Sequence, residues 1–188
     1  MVDYSARPRP RKYRDPAEVA RRRAERAAAR TPDDWRNYAR DLCYRQLGMM
    51  ERSVHQLRWA LERHGVPADI AEETLESFIA ADLVNDARFA GMFVRSKFAQ
   101  KATSRRVLAR ELQEKGISAE IAQEALTQIS DEAELEAAID FAQRRARTMT
   151  NLAPEVARRR LYGALARRGY NPDQVRQALC AAGIETVG

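Results

Sequence analysis

Apolar residues recur along most of the chain at the three- and four-residue spacing that is typical of amphipathic helices. From Trp35 onward this spacing holds in every segment, and no alternating run of β-branched residues predicts a strand. The pattern therefore predicts an all-α protein. Before Trp35, Val2 and Val19 are the only aliphatic residues larger than Ala, so residues 1–34 are expected to form a disordered tail.

The helical part of the chain contains an internal repeat centred on three glycines, Gly65, Gly116 and Gly169. Leu stands eight and four residues before each glycine and ten residues after it. An apolar residue follows each glycine directly, and an acidic residue stands four positions after it. The matched sets are Leu57, Leu108 and Leu161; Leu61, Leu112 and Leu165; Val66, Ile117 and Tyr170; Asp69, Glu120 and Asp173; and Leu75, Leu126 and Leu179.

Each matched position has a mechanical role in a pair of consecutive helices. Two Leu residues four apart mark one face of a helix, and the glycine supplies the left-handed conformation that ends it. The residue two after the glycine then caps the next helix, which suits Ser118 and Asn171 but not Pro67. A further amphipathic stretch precedes each Leu pair, so every repeat is expected to contain three helices.

These observations predict a definite organisation of the chain. A disordered basic tail is expected over residues 1–34. Three-helix repeats are expected over residues 35–85, 86–134 and 135–188. Because each repeat would contact only its neighbours, the three are expected to form an elongated, curved array.

The formal net charge of +6 conceals three zones of alternating sign. Residues 1–30 hold ten basic and four acidic side chains, residues 31–140 hold 14 and 20, and residues 141–188 hold nine and three. Of the 33 basic residues, 29 are Arg, which binds carboxylate and phosphate groups bidentately. Zones this uneven predict a polyanionic partner or a charge match with another protein surface; a merely solvated surface is the simpler alternative.

Two clusters of basic residues are the candidate binding surfaces. The first spans residues 95–110, a window without an acidic residue, in which Lys97 and Lys101 share a helix face. The second lies in the third repeat. The candidate partner- or DNA-binding residues are Arg95, Lys97, Lys101, Arg105, Arg106, Arg110, Arg144, Arg145, Arg158, Arg159, Arg160, Arg167 and Arg168. For both clusters a solvated helix face is the alternative.

The helices that follow the first two glycines are acidic, with Glu72 and Glu124 among their residues. Because phosphate repels an acidic helix, insertion of these helices into the major groove of duplex DNA is not expected. Phe89, Phe93 and Phe98 could stack on nucleic-acid bases, but their spacing favours packing in a core.

The sequence lacks the usual signs of catalysis, metal binding and membrane insertion. His55 and His64 do not share a helix face, and Cys43 and Cys180 form no CxxC pair. No nucleotide-binding loop, zinc-protease motif or nucleophile elbow occurs. No apolar run approaches the roughly 20 residues of a membrane helix. We therefore expect a cytoplasmic, monomeric protein that is not an enzyme and uses no cofactor or metal.

Two stretches of the sequence are distinctive enough to indicate a family. One runs from Ser53 through Leu57 and Leu61 to Gly65. The other, which is more specific, covers residues 82–96 and reads Asp-Leu-Val-Asn-Asp-Ala-Arg-Phe-Ala, then Phe-Val-Arg-Ser after two further residues. Both stretches resemble the RecX family of bacterial recombination regulators, and the resemblance extends over residues 35–183 and leaves out the N-terminal tail.

The resemblance implies a regulatory protein that binds the RecA recombinase on single-stranded DNA. Such a protein inhibits the recombinase, ATPase and co-protease activities of the filament, and so modulates DNA repair, recombination and the SOS response. Its partners would be the RecA filament and single-stranded DNA, contacted directly or through the filament. The alternative, suggested by charge alone, is a nucleic-acid-binding protein that needs no recombinase and loses affinity steeply with salt.

Overall fold

The structure is a computed structural model that describes residues 15, 17, 18, 21, 25 and 29–184. Residues 32–181 form nine helices, and no strand occurs within the described residues. The helices are α1 (Pro32–Leu47), α2 (Val54–Arg63), α3 (Ala68–Ala80), α4 (Asp86–Lys101), α5 (Arg105–Gln113), α6 (Ala119–Leu126), α7 (Asp131–Ala146), α8 (Pro154–Arg167) and α9 (Pro172–Ala181). The predicted all-α array of three-helix repeats is confirmed.

Each repeat of three helices encloses its own small hydrophobic core. The Leu pair of the second helix lies at the centre of each core and is at most 1% exposed. These buried residues are Leu57 and Leu61, Leu108 and Leu112, and Leu161 and Leu165. Full burial of one Leu side chain contributes about 2 kcal/mol, so each pair anchors its repeat. Phe89 is also buried, and Phe93 and Phe98 pack against the second core, as their spacing predicted.

The second helix of each repeat ends as the glycine pattern predicted. Gly65, Gly116 and Gly169 have φ values of 74°, 76° and 85°. Left-handed backbone of this kind is accessible to Gly without the steric cost of a Cβ. In the first two repeats the same helix begins at a serine, since Ser53 and Ser104 accept the N–H groups of the third helical residues at 3.2 Å and 3.3 Å.

Neighbouring repeats are joined through the ends of their second helices. The Ser53 hydroxyl donates to the Lys115 carbonyl at 2.6 Å, so the start of α2 meets the end of α5. The Ser104 N–H donates to the Arg168 carbonyl at 3.0 Å, so the start of α5 meets the end of α8. Each joint satisfies a helix-terminal carbonyl that has no partner within its own helix and brings opposite ends of two helix dipoles together.

The joint between the second and third repeats contains a buried carboxylate. Glu134 on α7 accepts the Arg105 backbone N–H at 2.6 Å and the Arg105 Nε–H at 3.2 Å. The same carboxylate accepts a hydrogen bond from the Gln174 side chain at 3.0 Å. The Tyr170 hydroxyl donates to the Ala102 carbonyl at 2.6 Å. The Glu134 bonds tie the start of α5 to α7 and α9, and the Tyr170 bond ties the end of α4 to the turn before α9.

Two of the predicted boundaries differ from the structure. Helix α7 begins at Asp131, inside the segment assigned to the second repeat, because Ser130 caps it by accepting the Ala133 N–H at 3.1 Å. Helix α1 begins at Pro32, inside the predicted tail, because Thr31 and Asp34 form a capping box. Most of the remaining predicted tail lies outside the described residues.

Candidate nucleic-acid and partner interface

Two residues of the first basic cluster pair with carboxylates from outside residues 95–110. Lys97 Nζ lies 2.9 Å from Glu111. Arg105 pairs with Asp131 and with Glu134. Burial disfavours the charged guanidinium, but these two carboxylates outweigh it and raise the pKa of Arg105. Lys97 and Arg105 therefore hold the fold together and offer little free charge to a partner.

The other members of the first cluster are exposed. Arg95 donates to the Gln128 side chain at 2.9 Å. Lys101 and Arg106 form no ion pair with a described residue, and Arg110 Nε lies 3.7 Å from Glu114 in a solvent-exposed pair. Exposed pairs of this kind contribute at most about 1 kcal/mol and separate easily. These four side chains are free to contact a polyanion or an acidic protein surface.

The second basic cluster also divides into structural and exposed residues. Arg168 is half-buried; its Nε donates to the Lys101 carbonyl at 3.2 Å, and its guanidinium lies 3.8 Å from the centre of the Phe141 ring. Burial lowers the pKa of Arg168, and the positive charges of Arg145 and Arg167 act in the same direction. Arg168 thus belongs to the joint between repeats, with two exposed cations beside it.

The remaining arginines of this cluster are exposed and form no ion pair with a described residue. Arg167 lies on the last turn of α8. The others lie on the last turn of α7 and in the first half of α8, on either side of the loop of residues 147–153. These residues are Arg144, Arg145, Arg158, Arg159 and Arg160.

The repeat exposes residues at equivalent positions of α2, α5 and α8, and this set of positions is called the second-helix face. It consists of the positions two before, two after and six after the first Leu of each buried pair, and all but Gly163 are exposed. Its residues are His55, Trp59 and Arg63; Arg106, Arg110 and Glu114; and Arg159, Gly163 and Arg167. The face therefore carries five arginines and one carboxylate across three helices joined end to end.

The sequence prediction missed Arg63, which belongs to this face. Arg63 stands between Glu62 and His64 and so forms no cluster along the chain. It occupies the same position of the repeat as Arg167, two residues before the glycine. Aligning the exposed positions of the repeat, as well as the buried ones, reveals it.

The acidic third helices pair partly with basic residues of their own repeat. Glu72 accepts two hydrogen bonds from Arg58, at 2.7 Å and 2.9 Å, which lower the pKa of its carboxyl group. Glu73 accepts a hydrogen bond from Arg36 at 3.1 Å. The free negative charge on this side of the first repeat is therefore smaller than the sequence suggests.

Two further properties concern metals and membranes. Among the described residues, no group of three or more His, Cys, Asp or Glu side chains lies close enough together to hold a metal ion. No helix of the described chain is both long and apolar enough to cross a membrane.

Comparison with known families assigns all three repeats. Family models match the first three-helix domain of RecX at residues 39–78, the second at residues 85–126 and the third at residues 132–179. The third match begins close to the start of α7.

Relatives and solved structures agree with this assignment. The chain is 38% identical over 159 residues to the regulatory protein RecX of Streptomyces coelicolor. The aligned region covers 82% of this chain and 85% of the relative. It is 35% identical over 158 residues to the RecX of Thermobifida fusca, with the same shares covered. The crystal structure of RecX from Lactobacillus salivarius has the same fold, with a TM-score of 0.71 at 20% identity over 81% of this chain and 99% of that one. This chain therefore belongs to the RecX family, which is a family of regulatory proteins and not of enzymes.

Proposed function

We propose that this protein binds RecA filaments on single-stranded DNA and inhibits their recombinase, ATPase and co-protease activities. Family membership supports a regulatory role, and the resemblance noted above suggests RecA as its target. The observation that carries the proposal further is the second-helix face, which presents exposed arginines on three helices joined end to end. A surface that repeats suits a ligand that repeats, such as successive recombinase subunits or successive phosphates of the bound strand.

The proposal divides the predicted site residues by their role. Arg106, Arg110, Arg159 and Arg167 would contact the filament, because they are exposed and lie on the second-helix face. Lys101 and the arginines around the loop of residues 147–153 would extend this contact. Arg105 and Arg168 would act only indirectly, because their guanidinium groups hold the joint between the second and third repeats.

The test is ATP hydrolysis by the RecA protein of the same organism on single-stranded DNA, with this protein titrated in at physiological salt. We expect inhibition at well below one molecule of this protein per RecA subunit. If ATP hydrolysis is unaffected while the protein still binds bare DNA, the charge-driven nucleic-acid binder becomes the better description, and its affinity should then fall steeply with salt.

A charge-reversed variant tests the second-helix face itself. Arg106→Glu combined with Arg110→Glu should raise the concentration needed for half-inhibition at least tenfold, since the two reversals together remove about 1.4 kcal/mol or more of attraction. The matched control is Arg40→Glu with Arg45→Glu, which changes the net charge equally on exposed positions of α1. Equal weakening by both double variants would indicate a general charge effect and contradict a specific role of this face.

A further inference from the structure

An exposed tryptophan stands on the second-helix face of the first repeat. The Trp59 side chain is 54% exposed. The corresponding positions of the other repeats hold Arg110 and Gly163, so the fold does not require an aromatic side chain there. An exposed indole ring offers a flat apolar face on which a nucleic-acid base can stack.

The indole ring is held by a cation and borders a cleft. The Arg63 guanidinium carbon lies 4.5 Å from the centre of the Trp59 ring, a cation–π contact that steadies both side chains. Beside them a cleft of about 500 Å³ opens where α2 meets the end of α5. This volume is within the range of pockets that hold small ligands. Its lining residues are Gln46, Arg52, His55, Gln56, Trp59, Ala60, Arg63, His64 and Glu114.

The polar groups of the cleft favour an anionic ligand. Two arginines and two histidines line it, against the single carboxylate of Glu114, which itself pairs with Arg110. The Arg52 Nε is buried and has no hydrogen-bond acceptor among the described residues. His64 is oriented by a contact of 2.8 Å between its Nδ1 and the Ala60 carbonyl. An aromatic platform flanked by cations is the arrangement by which proteins bind single strands without sequence preference.

We propose that this cleft is a single-stranded nucleic-acid site in which one base stacks on Trp59 and the adjoining phosphates contact Arg52 and Arg63. The site rests on the proposed function only in taking single-stranded DNA as a partner. It is distinct from the arginine contacts proposed above, because it adds a stacking contact that an acidic protein surface would not use. The side chains of Gln46 and Gln56 also line the cleft.

Fluorescence of Trp59 tests the site directly. The chain has two tryptophans, so a Trp35→Phe variant leaves Trp59 as the only indole fluorophore. Titration with an oligothymidylate of about 15 nucleotides, without RecA, should quench its emission saturably at physiological salt. Inorganic polyphosphate, which has the charge but no base, should quench it much less. Equal quenching by polyphosphate would overturn the proposal, and quenching by polyglutamate but not by oligothymidylate would assign the cleft to an acidic protein segment.

The affinity of the protein for the same oligothymidylate gives an independent test. Trp59→Ala should weaken binding about tenfold, whereas Trp59→Phe, which keeps a stacking ring, should retain most of the affinity. The matched control is Tyr162→Ala, which removes an aromatic side chain that is 50% exposed on α8. Unchanged binding of the Trp59→Ala variant would overturn the site. Inhibition of RecA by the wild-type protein would still be measured separately, so failure of the site and failure of the proposed function can be told apart.

Discussion

Ala102 ends α4 in the left-handed conformation, with a φ of 44° and a ψ of 62°. For a residue that carries a Cβ, this conformation costs about 1 kcal/mol. The Ala102 carbonyl accepts the Tyr170 hydroxyl, so the contact with the third repeat helps to hold the strained backbone in place. We predict that Ala102→Gly raises the free energy of unfolding by about 1 kcal/mol, as measured by chemical denaturation.

The control substitution should change the free energy of unfolding in the opposite direction. Ala99 is exposed and lies within the same helix, where Gly is less favourable than Ala by about 1 kcal/mol. Ala99→Gly should therefore lower the free energy of unfolding. A loss of stability in both variants would show that the left-handed backbone at Ala102 is not a source of strain.

Tyr170 supplies a second prediction, which concerns high pH. Burial raises the pKa of the Tyr170 hydroxyl to about 12. Because the folded state holds this proton more tightly than the unfolded state, its contribution to stability is complete below the ordinary tyrosine pKa of about 10 and is lost as the pH rises toward 12. Tyr170→Phe should cost about 1 kcal/mol at neutral pH and should reduce the loss of stability between about pH 10 and pH 12. Denaturation at neutral and alkaline pH measures both effects; an identical alkaline loss in the variant would contradict the assignment.

Single residues also show where prediction from the sequence ends. The charge of Arg105 is evident from the sequence, but its partners Asp131 and Glu134 lie 26 and 29 positions away in the next repeat. Helical periodicity reveals neighbours three and four residues apart and says nothing about contacts between repeats. For the same reason, the role of Arg168 in the joint could not be predicted, whereas the exposure of Arg106 and Arg110 could.

At the scale of helices, the three repeat glycines differ in what surrounds them. A Cβ on Gly116 would lie 2.2 Å from the His55 Cβ, and one on Gly169 would lie 2.4 Å from the Ser104 Oγ. At Gly65 the same position has no atom within 4 Å in the described part of the chain, apart from the glycine's own neighbours. The glycine therefore allows the left-handed backbone in all three repeats, but only in the last two does it also leave room for the neighbouring repeat.

This difference predicts a graded response to one substitution. Gly65→Ala should lower the free energy of unfolding by about 1 kcal/mol, because only the left-handed conformation of the new Ala is unfavourable. Gly116→Ala and Gly169→Ala should cost clearly more, since the methyl group must also displace the start of the neighbouring second helix. Chemical denaturation of the three variants ranks them, and Gly65 is the internal control. Equal losses of stability in the three variants would contradict this prediction, since they would mean that the neighbouring helix can move aside without a free-energy cost.

Helices themselves were predictable where two local signals agreed. The Leu pairs and the left-handed glycines fixed the second helices, and Ser118 and Asn171 cap the helices that follow two of them. The predicted third repeat begins at residue 135, whereas α7 begins at Asp131. Acidic residues after a serine suit the first turn of a helix, so the signal was present in the sequence.

At the scale of the whole molecule, the second helix of the third repeat starts differently from the other two. In the first two repeats the second helix starts just after Ser53 or Ser104, which contacts the next repeat. The equivalent position of the third repeat holds Ala157, which lies inside α8, because this helix already begins at Pro154. The third repeat therefore lacks the capping serine with which the first two repeats contact the repeat that follows them.

The joints also determine whether the repeats unfold together. The carboxylate of Glu134 connects Arg105 of the second repeat with Gln174 of the third, and it is buried. Glu134→Ala leaves charged and polar groups without their partner, at a cost of about 2 kcal/mol or more at that joint. The first repeat shares none of these contacts. We therefore predict that the variant loses stability in its last two repeats and keeps most of it in the first.

The positions of the tryptophans make this measurable. Trp35 and Trp59 both lie in the first repeat, so their fluorescence follows that repeat, whereas circular dichroism follows the helices of all three. In the Glu134→Ala variant the circular dichroism transition should move to lower denaturant while the fluorescence transition stays close to that of the wild type. Glu136→Ala removes the same charge from an exposed position of α7 and should move neither transition by a comparable amount. If both signals of the Glu134→Ala variant shift together, the joints couple the three repeats into one cooperative unit, and the binding surface would then be lost as a whole whenever any repeat unfolds.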